Sequence, residues 1–99
     1  MDKIGQLTAE AFDVFVGKAF RPAGADLSLT LATIDRREFP GWDAAARKPF
    51  SLILRGPRNP VLPEGFCTVA IEEGPVLTLY VIPILTASDD HQDYQIVFN

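Results

Sequence analysis

Leu27-Ser28-Leu29-Thr30-Leu31-Ala32-Thr33-Ile34 is the stretch that decides the fold, because it alternates leucines with small or polar side chains. Successive side chains of a strand point to opposite faces, so Leu27, Leu29 and Leu31 share one face and the small or polar residues hold the other. Such a half-buried strand belongs in an antiparallel sheet. The pattern resumes at Phe50-Ser51-Leu52-Ile53-Leu54-Arg55, at residues 66–71, at residues 76–85 and at Tyr94-Gln95-Ile96-Val97-Phe98. Residues 18–22 add a short edge strand, followed by a turn at Gly24 and Asp26. Between the later strands lie a breaker-rich loop at 56–65 with Pro57, Pro60 and Pro63, a hairpin-like turn at Glu72-Glu73-Gly74-Pro75, and a polar loop at 86–93. None holds a crossover helix, so the pairing is antiparallel.

Upstream, residues 8–17 read as a short amphipathic helix. Thr8 caps it by accepting a backbone N–H bond, Glu10 complements the positive first turn, and Leu7 staples against Phe12. Phe12, Phe15 and Val16 fall on one face, and Gly17 stops the helix because glycine enters the left-handed conformation without steric cost. Residues 35–48, with Pro40-Gly41-Trp42, form a long connection with one helical turn at 43–47 that Pro49 ends. The expectation is a mainly β, α+β chain: a single domain over residues 1–99, built as a small antiparallel curved sheet or barrel of five to six strands with one N-terminal helix.

Composition bounds the chemistry. With 99 residues, 47% hydrophobic and ten aromatics, one core forms without metal or disulfides. Cys67 has no cysteine to pair with, which favours a reducing compartment. The first residues lack a signal-peptide core, and the most apolar run, 76–85, is too short to span a bilayer. A cytoplasmic location and no membrane partner are therefore expected. The net charge of -4 argues against a nucleic-acid partner, and the charge is unevenly laid out. Residues 1–58 carry nine bases against seven acids, giving +2, and residues 59–99 carry six acids and no base, giving -6.

Candidate chemical groups are few. The cluster Ser88-Asp89-Asp90-His91-Gln92-Asp93 holds three carboxylates and the chain's one histidine, without zincin or calcium-loop spacing, so it reads as a solvated loop and no metal is expected. Cys67 sits in an apolar strand and reads as a buried, inert thiol. Glu72 and Glu73 are adjacent and point apart, which makes no acid/base pair. The basic positions Arg36, Arg37, Arg47, Lys48, Arg55 and Arg58 flank the central connections, but Pro57 removes a donor where a phosphate-cradling loop needs one. Phe39, Trp42 and Tyr80 offer stacking faces without the aromatic and basic interleaving of RNA-binding motifs. No catalytic residue, cofactor or enzymatic activity is expected.

Several segments together resemble a family of small bacterial proteins of about this length, of unassigned function, that end in Tyr-x-x-x-Phe-Asn. They are Leu7-Thr8 through Phe12 with Val16-Gly17 and Phe20, Pro49-Phe50-Ser51-Leu52-Ile53-Leu54-Arg55-Gly56-Pro57, residues 79–83, and Tyr94 through Phe98-Asn99. The resemblance covers nearly the whole chain and implies an accessory or assembly role beside phage-tail-collar-like proteins. Arg55, leaving its apolar run just before Gly56-Pro57, is placed to tie down that loop by bonding carbonyls or a carboxylate.

Residues 76–85 are apolar on both faces. Leu77, Leu79, Val81, Pro83 and Leu85 share one, and Val76, Thr78, Tyr80, Ile82 and Ile84 the other. An antiparallel strand normally hides only one, so the second is expected to meet the helix, a protein partner or another copy of the chain. Pro83 removes a ladder donor, which fits an edge or a bulge. The expected function is a non-catalytic protein-interaction or assembly module, with Val76, Thr78, Tyr80, Ile82 and Ile84 as its interaction face. The alternative is a small-ligand-binding β-barrel, although Leu29, Leu31, Leu52 and Leu54 read as filling rather than as the walls of a cavity.

Overall fold

The computed structural model describes residues 8–36, 49–86 and 88–98. A helix, α1 (Ala9–Asp13), precedes six strands: β1 (Ala19–Pro22), β2 (Leu29–Arg36), β3 (Phe50–Pro57), β4 (Gly65–Ile71), β5 (Val76–Ile84) and β6 (His91–Phe98). They pair antiparallel in the order β1-β2-β3-β6-β5-β4, and β4 returns to β1 to close a barrel. The mainly β, antiparallel expectation holds, and of the two architectures expected it is the barrel that forms. The edge strand read at 18–22 is corrected. Phe20 pairs with Leu29 of β2 on one side and Ile71 of β4 on the other, so β1 is the closing strand. Closure satisfies both sides of the strand, which an edge cannot do.

Inside, the alternation read from the sequence supplies the core. Leu29 and Leu31 from β2, Leu52 and Leu54 from β3, Val69 from β4, Val81 from β5 and Tyr94 from β6 are all essentially inaccessible to solvent. Ala32 interrupts the regularity: Leu31 pairs with Leu54 and Thr33 with Ile53, so one extra residue sits in β2. Such a bulge bends the strand and flips its phase. Ile34, rather than Thr33, then turns towards the core.

The helix closes one end of the barrel. Thr8 caps it as expected, its hydroxyl accepting from the Ala11 N–H at 3.3 Å. Phe12 packs on Phe98 and Phe50 with ring centroids 5.3 and 6.0 Å away, and those two rings stack on each other at 4.7 Å. Two parts of the helix reading are corrected. The helix ends at Asp13, and Val16 lies exposed rather than sharing the buried face of Phe12. The cause is the docking of the next turn onto β2, where Gly17, at φ 87°, gives its N–H to the Leu31 carbonyl at 2.9 Å. That bond and the positive φ are incompatible with further helical turns. Arg36 at the end of β2 donates to the Asp13 carboxylate at 2.6 Å, which raises the arginine pKa and holds the helix against the barrel. The Leu7 staple and the helical turn at 43–47 lie outside the described residues.

At the opposite end the fully buried Tyr94 reaches the loop between β3 and β4, its hydroxyl accepting from the Leu62 N–H at 2.8 Å. Removing that acceptor leaves a half-buried donor unpaired. Tyr94→Phe is expected to cost about 1 kcal/mol, read from the urea midpoint at unchanged slope. An unchanged midpoint would mean that water replaces the hydroxyl freely.

Candidate interaction face

β5 carries the expected face, and its alternation is clean where it pairs with β4. Leu79 and Val81 point into the barrel, whereas Val76, Thr78 and Tyr80 are exposed and Ile82 and Ile84 are half-buried. The helix does not cover this face. α1 lies over the barrel end against Phe50 and Phe98 instead, so that part of the expectation is corrected. β4 pairs with β5 only up to Val81, and β6 pairs with β5 from Ile82 to Ile84. Pro83 therefore sits beyond the end of the β4 ladder, where its missing donor breaks no β4 bond.

Register brings a second aromatic to this face. Phe66 of β4 lies directly opposite Tyr80, with ring centroids 4.9 Å apart in an edge-to-face arrangement. Phe66 is 75% exposed and Tyr80 40%, and Val76 stands 64% exposed on the same strand. The Tyr80 hydroxyl donates to the Glu64 carboxylate at 2.6 Å, and this bond, with the negative charge beside it, pushes the phenol pKa up. Thr68 and Thr78 oppose each other in the next row, their hydroxyls 3.5 Å apart. Val97, 46% exposed, adds an outward apolar residue on β6. Sequence reasoning missed Phe66 as a member of this surface. The available signal was its odd separation from the inward neighbours Val69 and Ile71, but only the strand register shows Phe66 against Tyr80.

The polar cluster lies at the barrel end away from the helix. Asp93 of β6 faces Arg55 of β3 across the ladder, and its Oδ1 lies 3.3 Å from both Arg55 Nε and His91 Nε2. Arg58 donates to the Ser88 carbonyl at 3.2 Å, tying the loop after β3 to the loop before β6. Arg55 thus engages a carboxylate, but the turn expected at Gly56-Pro57 is corrected: both residues continue β3, opposite Gln92 and His91 of β6, and the loop begins only after Pro57. Among the described residues no three His, Cys, Asp or Glu side chains are grouped to hold a metal ion. Cys67 is half-buried beside the core, and desolvation raises its pKa, away from the thiolate that nucleophilic chemistry needs. Arg37, Phe39, Trp42, Arg47 and Lys48 lie outside the described residues. No described helix is long and apolar enough to cross a membrane.

The barrel spans the same segments that carry the family resemblance, and a family model described as a domain of unknown function, DUF6916, matches residues 7–98. The chain belongs to the DUF6916 family. That match takes in every strand and the helix, so the whole DUF6916 barrel, with its exposed Phe66–Tyr80 pair, lies within the family's boundaries. No match is found for this DUF6916 chain among curated proteins or among solved structures.

Proposed function

We propose that this DUF6916 barrel is a non-catalytic protein-interaction or assembly module working through the outer face of β4 and β5. The exposed aromatic pair Phe66 and Tyr80 carries the reading. An ordinary soluble surface has no need of a phenylalanine three-quarters exposed beside a tyrosine and a valine, and apolar patches of this kind mark contact sites. Aromatics are also the side chains that dominate contact energies. An accessory role beside phage-tail-collar-like proteins is the finer form of this proposal and draws on the family resemblance alone.

Small-ligand binding is the second reading, and the closed barrel supports it. Against it stand the leucines and Tyr94 that occupy the inward positions, and a β3 backbone so close to Leu29 that a Cβ on Gly56 would approach it to 2.5 Å.

The test is a Phe66→Ser, Tyr80→Ser double variant. Both side chains are exposed, so the melting temperature is expected to stay within a few degrees of the parent. Self-association or partner binding is expected to fall at least about tenfold, since central aromatics commonly contribute 2 kcal/mol or more each. Undiminished association in a folded double variant would remove the face from the proposal. Stoichiometric binding of an apolar dye by the native parent, retained in the variant, would move the function into the barrel interior.

A further inference from the structure

The outer face of β4 and β5 carries side chains of unequal height, with a cation near one end and a carboxylate at the other. Three cross-strand rows run over it. Phe66 and Tyr80 form a tall row, Thr68 and Thr78 a middle one, and Ala70 and Val76 a low one. The low row continues onto β1, where Arg21 lies opposite Ala70 with its side chain exposed. Arg21 has no carboxylate partner among the described residues. Beyond the tall row, just before β4 begins, stands Glu64, bonded to the Tyr80 hydroxyl but to no cation among the described residues. Six residues of strand separate the Ala70 row from Glu64, roughly 20 Å at about 3.3 Å per residue.

Resting on the interaction reading above, we infer that the occupant of this face is a second copy of the chain, related by a two-fold axis that runs across the strands along the Thr68–Thr78 row. A two-fold contact must be self-complementary. Rotation about this axis reverses the order of the rows, so the tall Phe66–Tyr80 row of each copy meets the low Ala70–Val76 row of the other. Small residues opposite large ones let two sheets interdigitate at the usual separation of about 10 Å. The same rotation brings each Arg21 to the end of the partner face that carries Glu64 and the rim of Phe66. An unpaired guanidinium therefore meets a carboxylate and an aromatic ring, twice per dimer. A two-fold axis along the strands would set tall row on tall row and leave both charges unpaired.

Sedimentation equilibrium on the full chain tests this, with Arg21→Glu, Glu64→Arg and the double exchange as variants. The parent is expected to sediment at twice 10.9 kDa at micromolar concentration. Each single exchange places like charges together at both ends of the contact and is expected to weaken the dimer by roughly tenfold or more, while the double exchange restores it. Circular dichroism of every variant should match the parent, because both positions are exposed, while the single exchanges melt somewhat lower as the dimer's contribution is lost. A parent that stays at 10.9 kDa overturns the inference, and so does a dimer indifferent to the single exchanges or not restored by the double one. These outcomes leave the wider interaction proposal to the Phe66 and Tyr80 double variant, whose readout includes a different partner. As a check independent of charge, Ala70→Trp is expected to block the dimer by filling the low row. A dimer that accepts this tryptophan overturns the proposed axis.

Discussion

Phe98→Ala is expected to lower the stability of the barrel by about 3–5 kcal/mol. The ring is 6% exposed and stacks on Phe50 with planes 4° apart, and Phe12 of α1 lies against it at 5.3 Å. Truncation removes the stacking partner of Phe50 on β3 and the seat of the helix at once. For a domain whose total stability is of the order of 5–15 kcal/mol, this loss is a large fraction. Urea denaturation followed by circular dichroism measures it. A midpoint close to the parent's would show that residue 98 does not belong to the core, contrary to the placement of β6.

Gly56→Val is the second large effect, at about 3 kcal/mol, the upper part of the range for overpacking. Gly56 lies on the inward face of β3, where an added Cβ would stand 2.5 Å from Leu29 Cδ2 and 3.4 Å from Tyr94 Cε1. Leu29 and Tyr94 are both buried, so neither can swing into solvent to make room. The two methyl groups of valine enlarge the clash, and β2 or β6 must move. Thermal melting checks the value. A valine tolerated without loss would reveal empty space beside Leu29 and would strengthen the ligand-binding reading.

The strands were legible because burial on one side writes itself into every second residue. Leu29, Leu31, Leu52 and Leu54 read as filling and lie in the core, and so do Tyr94, Ile96 and Phe98, which period two sets on one face of the last strand. Harder to read were features that depend on a distant part of the chain. The closing role of β1 needs Ile71 and Leu29 beside Phe20, which four residues of local pattern cannot announce. The early end of α1 is imposed by a carbonyl of β2, and the bulge at Ala32 by the pairing with β3. The candidate face was half legible for the same reason. The outward residues of β5 follow from period two, but Phe66 joins them only through register, and Arg21 only through the closure that places β1 beside β4.

The strand order also constrains how this barrel is made on a ribosome. β6 lies between β3 and β5, although 33 residues separate β3 from β6 in sequence. A nascent chain that has emerged only as far as β5 can join β1, β2 and β3 on one side and β4 with β5 on the other, yet it has no wall between β3 and β5. Leu52, Leu54 and Val81 then face water across the gap, and two strand edges stay unpaired. Open edges and bare apolar side chains are what other chains adhere to. Synthesis therefore carries this protein through an interval of adhesiveness that ends only when Tyr94, Ile96 and Phe98 slide in as the final stave.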